Sequence, residues 1–419
     1  MPSQPRLLAL IMAGGKGSRL FPLTRDRAKP AVPFGGRYRI IDFVLSNMFN
    51  SGIRSLYVLT QYKAQSLVEH IQRAWSVRNS PTDFVTIVPA QMRMGELWYR
   101  GTADSVFQNY HMVEDQRPDY VLVFGADHIY KMNVRQMVDF HIEKGAVATV
   151  ACIPIAVEDA PSFGIMEIDA NGRVVGFEEK PQTGAKTIPG QPGLCLASMG
   201  NYIFNPDTLR EELIADSGRE SHHDFGHNVI PAMMKTGKVF AYNFHNNVIP
   251  GAKSLEENTY WRDVGTIDAY YEAALDLKNV VPSLNLYGWD WPIMTASYSD
   301  PPAKMVFDEE NRRGQVLQST LAGGCIISGG FVKDSVLGRN VIVEEGAEVR
   351  DSVIFENVRI GKGARVQRAI IDKNVHIKEG DQIGHDLGRD MLRHTVSEKG
   401  VTVVAKQRAD LGLLMRDYG

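Results

Sequence analysis

The run Ala13-Gly14-Gly15-Lys16-Gly17-Ser18-Arg19-Leu20 sets three glycines within four positions ahead of an arginine. Glycine lets backbone N–H groups approach an anion closely, and Arg19 adds positive charge. A tight turn would use the same glycines. The spacing is not that of a G-x-x-x-x-G-K-[ST] phosphate loop, and Leu20 stands where a dinucleotide fingerprint needs a small residue. Further on, Lys29 precedes Pro30, which predicts an extended backbone at the lysine. Asp127 follows the apolar run 120–124, and a carboxylate at the carboxyl end of a buried strand stands where α/β sheets bind ligands. Asp263 lies in the aromatic-flanked run Tyr260-Trp261-Arg262-Asp263. Two such oxygen donors suit Mg2+, which keeps waters and phosphate oxygens in its shell, although either aspartate alone is as readily a cap or a surface residue. Lys180, in Glu179-Lys180-Pro181, and Gln91 are side chains that surfaces ordinarily carry.

These residues need a scaffold. Apolar runs at 7–13, 54–59, 84–88, 120–125 and 146–153 predict buried strands. Helical patterns occur near 40–51, 63–75 and 133–144, with Gly52 and Gly145 placed as C-terminal caps. Strand and helix in alternation predict a mostly parallel sheet covered on both faces. The stretch 182–193 reads as a surface loop, and prolines 292, 301 and 302 break any helix in 288–304. The expected division is a catalytic domain over 1–287, a linker over 288–310 and a further domain over 311–419.

Beyond the linker a repeat of period 17 appears in four registers. Gly329, Gly346, Gly363 and Gly380 form one; Asn340, Asn357 and Asn374 another. Ile326, Val343, Ile360 and Ile377 form the third, and Val332, Val349, Val366 and Ile383 follow six residues behind them. So short a unit must stack on its neighbours to bury a core. Three short strands and three turns per coil predict a left-handed parallel β-helix. Regular hairpins of a β-sandwich do not explain the register.

The formal net charge of −3 and the lack of a long basic block leave no nucleic-acid footprint. Three scattered cysteines fit a reducing cytoplasm better than a disulfide framework. The apolar run at 7–13 reads as a strand rather than a targeting signal. No run reaches the roughly 20 apolar residues of a membrane span. Asp224-Phe225-Gly226 lacks the other kinase motifs, and His222, His223 and His227 have no usual zinc spacing.

The order A-G-G-K-G-S-R-L-x-P-L-T-x-x-x-A-K-P resembles the N-terminal signature of the sugar nucleotidylyltransferases. The segments at 98–104, 125–130, 177–181, 196–200 and 260–266 follow in that family's order, and with the β-helix they resemble its glucose-1-phosphate adenylyltransferase branch. The resemblance implies a Rossmann-like α/β catalytic domain and Mg2+-dependent transfer from ATP to glucose 1-phosphate for glycogen or related α-glucan synthesis. It implies catalytic roles for Arg19, Lys29 and Asp127, and metal binding by Asp127 and Asp263. Tyr99, Gly164, Glu179, Lys180 and Ser198 would contact glucose 1-phosphate, and Gly14, Gly15, Gly17, Gln91 and Gly101 the nucleotide. Homotetramers, glycolytic activators, and adenine nucleotide or phosphate inhibitors are also implied, with Arg25, Arg37 and Arg39 as effector residues. Asp26 replaces a lysine that bisphosphate-activated members carry, which favours fructose 6-phosphate or pyruvate. A sister enzyme using another nucleoside triphosphate, a non-catalytic regulatory subunit, and a β-helix acyltransferase using His376 or His385 are the competing readings.

Overall fold

The computed structural model describes residues 4–76, 82–91, 93, 98–309 and 312–406. Contacts group the chain into two compact units. The first holds Met1–Lys16, Ile41–Trp261 and Tyr287–Met294; the second holds Gly17–Ile40, Arg262–Leu286 and Thr295–Gly419. Segments 17–40 and 262–286 thus group with the repeat region.

The first unit is built on a nine-stranded sheet. Its strands are β1 (Leu7–Met12), β2 (Ser55–Thr60), β3 (Phe84–Pro89), β4 (Tyr120–Gly125), β5 (Ala148–Ala156), β6 (Gly164–Ile168), β7 (Val174–Glu179), β8 (Leu194–Phe204) and β9 (Val239–Asn243). The order runs β7-β6-β8-β4-β1-β2-β3, with β5 joined to β8 and β9. β3, β2, β1 and β4 are parallel, as the alternating pattern predicts. The other half turns antiparallel through the long strand β8. Leu8, Ala9, Leu10 and Ile11 are all buried, so both faces of β1 are covered. That explains its continuous apolar run.

The helices α1 (Ile40–Asn50), α2 (Gln65–Ala74) and α3 (Val134–Lys144) fall where the periodicity puts them. Asn133 caps α3 by accepting from Arg135 N, and Gly145 ends it at φ 53°. The stretch 182–193 is an exposed loop with a tight turn between Ile188 and Gln191.

The second unit contains the β-helix, three ladders of parallel strands. One runs through Ile326–Ser328, Ile342–Val343, Arg359–Ile360 and His376–Ile377. Another runs through Phe331–Lys333, Glu348–Arg350, Arg365–Gln367 and Gln382–Ile383. The last runs through Val336–Leu337, Val353–Ile354, Ala369–Ile371 and Thr402–Val404. An earlier coil starts at Lys304–Val306, inside the 288–310 stretch.

The repeat glycines have φ of 73°, 67°, 65° and 68°, and the three asparagines 56°, 59° and 60°. Corners of this helix demand left-handed backbone, which Gly and Asn tolerate best. The asparagines also form a ladder, Asn340 Nδ2 donating to Asn357 Oδ1 and Asn357 Nδ2 to Asn374 Oδ1. One register needs correcting. Val343 pairs with Ile327, not Ile326. The first turn is Ile-Ser-Gly, one residue shorter than the later Ile/Val-x-x-Gly turns. Ile327 therefore fills the core while Ile326 is half-buried.

Candidate active site

In the first unit, β4 ends in Gly125-Ala126-Asp127-His128. Gly125 N donates to Asn201 Oδ1 at 3.2 Å and Ala126 N to Met12 O at 3.1 Å, which fixes the turn to β8 and β1. Asn201, wholly buried, also donates to the Tyr130 hydroxyl at 3.3 Å. The Asp127 carboxylate is 42 % exposed, with Oδ1 3.5 Å from His128 Nδ1. The ring of Trp261 lies 4.9 Å from that of His128 and 5.6 Å from that of Phe163. Its buried indole N–H has no acceptor among the described residues.

Phe163 leads into Gly164, which pairs with Glu179 across β6 and β7. A Cβ at Gly164 would lie 2.7 Å from Glu179 Oε2, so the glycine makes room for the carboxylate. Lys180 takes a left-handed backbone at φ 51°, and its ammonium lies 3.2 Å from Glu179 Oε1. A β-branched or bulky residue at such a φ signals strain, and a lysine there is uncommon. Ser198 opens a bulge in β8, where its Oγ accepts from Gly200 N at 3.3 Å.

Tyr99 is held at both ends. Asn109 Nδ2 donates to its hydroxyl at 2.8 Å, and Gln61 Nε2 to its carbonyl at 3.3 Å. Burial pushes the phenol's pKa up, so the hydroxyl stays protonated. Gly14 packs on the same Gln61, and nothing lies within 4 Å of a Cβ at Gly15. Gln91 is exposed and accepts from Arg93 Nε at 3.4 Å. Gly101 has another reason to be glycine, because a Cβ there would lie 2.3 Å from His223 O and 2.4 Å from His222 O. Asp224 caps the turn Phe225–Val229 and accepts from Thr102 Oγ1 at 2.8 Å, and the buried His223 pairs with Asp216 at 2.8 Å.

The second unit gathers four of the expected residues, Gly17, Arg19, Lys29 and Asp263. Gly17, at φ 60°, opens the turn Ser18–Leu20. A Cβ there would meet Lys29 Cβ at 2.8 Å, so the lysine stem packs on bare backbone. Lys29 is not extended. It begins a turn, Lys29–Ala31, and it is Ala28 that is extended. The bonds Ala31 N to Ala28 O and Val32 N to Lys29 O outweigh the pre-proline bias and leave the lysine buried. Its ammonium lies 3.0 Å from Asp263 Oδ1, and Arg19 Nη2 lies 3.8 Å from Asp263 Oδ2.

The same unit holds a basic cluster. Arg27, buried, grips Asp372 with bonds of 2.8 and 3.0 Å, while its Nη1 has no acceptor among the described residues. Arg25 donates to the Lys406 carbonyl and pairs with Asp26 at 3.2 Å. Arg39 lies 3.8 Å from Glu356 Oε1, and Lys373 3.9 Å from the same oxygen. Burial, with Arg39, Arg27 and Lys406 nearby, lowers the Lys373 pKa against the opposing pull of Glu356. Arg37 instead stands over the Tyr38 ring at 6.0 Å and adds charge near Asp300.

Such a fold, an α/β sheet with a parallel half, followed along the chain by a parallel β-helix, suits a nucleotide-handling enzyme. Known families agree. Residues 8–280 match the nucleotidyl transferase family and residues 301–404 the GlmU-like, C-terminal hexapeptide family. The chain is a nucleotidyltransferase. It is 54 % identical over 408 residues to a glucose-1-phosphate adenylyltransferase of Thermus thermophilus, covering 96 % of this chain and 98 % of that one. It is 54 % identical over 404 residues to the enzyme so named in Anaeromyxobacter dehalogenans, with the same coverage. The Deinococcus radiodurans protein of that name is 55 % identical over 345 residues, 81 % of this chain and 83 % of that one. The chain belongs to the glucose-1-phosphate adenylyltransferase family.

Asn109, Gln61, Asn201 and Phe163 are absent from the sequence reading. Their signal is tertiary: Gln61, Asn201 and Phe163 touch residues far away in the chain, and Asn109 reaches the Tyr99 hydroxyl ten residues back without a motif to mark it. Trp261 was legible only as an aromatic neighbour of Asp263.

Proposed function

We propose that the protein transfers the adenylyl group of ATP to glucose 1-phosphate, forming ADP-glucose and pyrophosphate for glycogen or a related α-glucan. The similarity over nearly the whole chain to proteins named for this reaction carries the proposal. A phosphate oxygen of glucose 1-phosphate attacks the α-phosphorus in line, so catalysis is positioning and charge neutralisation. The backbone of Gly14, Gly15 and Gly17 faces the phosphates. Arg19 neutralises the leaving pyrophosphate, and Lys29 the charge growing at the α-phosphate. Lys180 orients the attacking phosphate, and Glu179, Ser198, Tyr99 and the Trp261 N–H, which has no acceptor among the described residues, bind the sugar. Gly164 serves the sugar site by making room for Glu179. Gln91 and the backbone at Gly101 face the base.

Asp127 and Asp263 are partly exposed carboxylates, the hard oxygen donors that Mg2+ takes alongside phosphate oxygens and water. Their assignment to one cation comes from the family pattern. Bound there, Mg2+ would supply positive charge at the reacting phosphates. Along the sequence, 288–310 divides the catalytic domain of 1–287 from the β-helix domain, with Lys304–Val306 already opening the first coil. Regulation falls to the basic cluster of Arg25, Arg27, Arg39, Lys373 and Lys406, where Arg27 Nη1, without an acceptor among the described residues, would meet an anion such as a sugar phosphate, pyruvate or phosphate. Arg37 stands apart from that cluster. A homotetramer in the cytoplasm completes the reading; no described helix is long and apolar enough to cross a membrane, and all three cysteines are unpaired and buried.

The test is pyrophosphate release with glucose 1-phosphate and each nucleoside triphosphate in turn. ATP is expected to dominate, and preference for another nucleotide would overturn the reading. Asp127→Asn is expected to lower turnover by about 10²–10³-fold at saturating Mg2+.

A further inference from the structure

Asp263 is not an open carboxylate. Lys29 Nζ takes Oδ1 at 3.0 Å, and Arg19 Nη2 stands 3.8 Å from Oδ2. The Lys29 stem is packed against Gly17 and largely sequestered from water, so without a competing anion the ammonium is held beside the carboxylate. The backbone at Gly265 walls another side, where a Cβ would lie 2.9 Å from both carboxylate oxygens and from Arg19 Nη2. Asp127 is the more open carboxylate, being 42 % exposed.

A divalent cation binds a carboxylate oxygen at about 2.1 Å. Placed on Asp263 as it stands, it would sit beside a buried ammonium of like charge. The same two cations are those the proposed function assigns to the triphosphate. They are shared between two anions, Asp263 and the polyphosphate.

We infer that Lys29 and Arg19 form a latch that withholds Asp263 from divalent metal until the nucleotide's phosphates draw the two cations away. The inference rests on Asp263 being a metal ligand. Asp127 is then the standing carboxylate and Asp263 the conditional one. Metal joins Asp263 only when there is phosphate charge to neutralise, so the site does not fill idly.

The test is Mn2+ binding to the full chain without nucleotide, followed by electron paramagnetic resonance. Lys29→Met is expected to bind Mn2+ about tenfold tighter than wild type or more, a modest return for removing one adjacent like charge at an effective dielectric of about 20. Adding Asp263→Asn should abolish the gain. Arg19→Met, which removes the longer contact, should gain less, and Lys29→Arg should stay like wild type. If Lys29→Met fails to fold by circular dichroism, Lys29→Gln and Arg19→Met carry the comparison. Wild-type affinity in the variants lacking the Lys29 charge overturns the latch. So does a wild-type chain whose Mn2+ affinity already falls on Asp263→Asn. The metal role is read separately from the metal dependence of turnover in Asp263→Asn. A lost dependence there, with no gain in Lys29→Met, sinks the latch alone; an unchanged dependence sinks the metal assignment and the latch together.

Discussion

Gly164 and Glu179 stand opposite each other across β6 and β7, and a Cβ on the glycine would lie 2.7 Å from Glu179 Oε2. The Phe177 ring blocks the same space at 2.7 Å. An alanine there must push the carboxylate, the ring or both. Gly164→Ala is expected to raise the KM for glucose 1-phosphate about tenfold, as losing one charged hydrogen bond does. The KM for ATP should hold, and the overpacking should cost about 1–3 kcal/mol in a denaturation midpoint. Equal rises in both KM values would show that Gly164 does not act through the sugar site.

The corner residues of the β-helix were readable from spacing because one backbone demand recurs at each. Left-handed φ selects Gly or Asn wherever a coil turns, so Gly346 and Asn357 mark the period by their own chemistry. Ile326 misled because alternate faces differ by one residue, and a turn shortened by one moves the inward side chain to Ile327. Lys29 misled because a local steric preference met two turn hydrogen bonds and a packed stem. The hold of Asn109 on the Tyr99 hydroxyl joins two ordinary polar residues through a fold that no local pattern states. The antiparallel half of the sheet was hidden for a like reason: β8 is one long apolar strand, and direction leaves no mark in composition.

His141 is buried between Thr149 Oγ1 at 2.8 Å and Asn205 Oδ1 at 3.1 Å. Burial lowers its pKa from the usual 6.5. The folded state therefore keeps a neutral ring that the unfolded chain protonates. Above pH 6.5 the ring is neutral in both states and adds no pH dependence. Below it the unfolded state binds more protons, so stability falls as the pH drops, until the folded pKa is passed. His245 and His394 are shifted in the same direction, burial being the largest cause. Urea midpoints are expected to stay level from about pH 8 to 7 and to decline toward about pH 5. His141→Gln, which cannot take up the proton, should flatten part of that decline. An unchanged slope would remove His141 from the account.

Arg27 and Asp372 form a buried, two-bonded pair within the second unit. Asp372 also accepts from Lys373 N at 2.7 Å, and its own N–H donates to Val404 O at 2.9 Å. Removing one partner strands a charge, so Asp372→Ala is expected to cost about 3–5 kcal/mol. Replacing both, as Arg27→Met with Asp372→Leu, should recover much of that loss, because the pair's own desolvation cost disappears with it. A double variant as unstable as the single one would mean that the backbone contacts of Asp372, rather than the ion pair, hold the region.

Gly101 gives the sharpest separation between two roles for one residue. If it is glycine in order to face the base, Gly101→Ala should change nucleotide choice. The geometry gives a different cause. The missing Cβ would fall 2.3 Å from His223 O and 2.4 Å from His222 O, both backbone atoms. The His223 carbonyl is itself anchored, since Ala103 N donates to it at 2.8 Å and the His223 ring pairs with Asp216. It cannot swing away as a side-chain tip could. Gly101→Ala is therefore expected to destabilise the protein by about 3 kcal/mol, the upper end for an overpacked site. Turnover should fall for every nucleoside triphosphate in proportion, because Thr102 and Asp224 shift together. The ratio of kcat/KM for ATP to that for UTP should stay within about twofold of wild type, less than a lost base contact would change it. A large change in that ratio at unaltered stability would mean that the missing Cβ serves the base rather than the packing against His222 and His223.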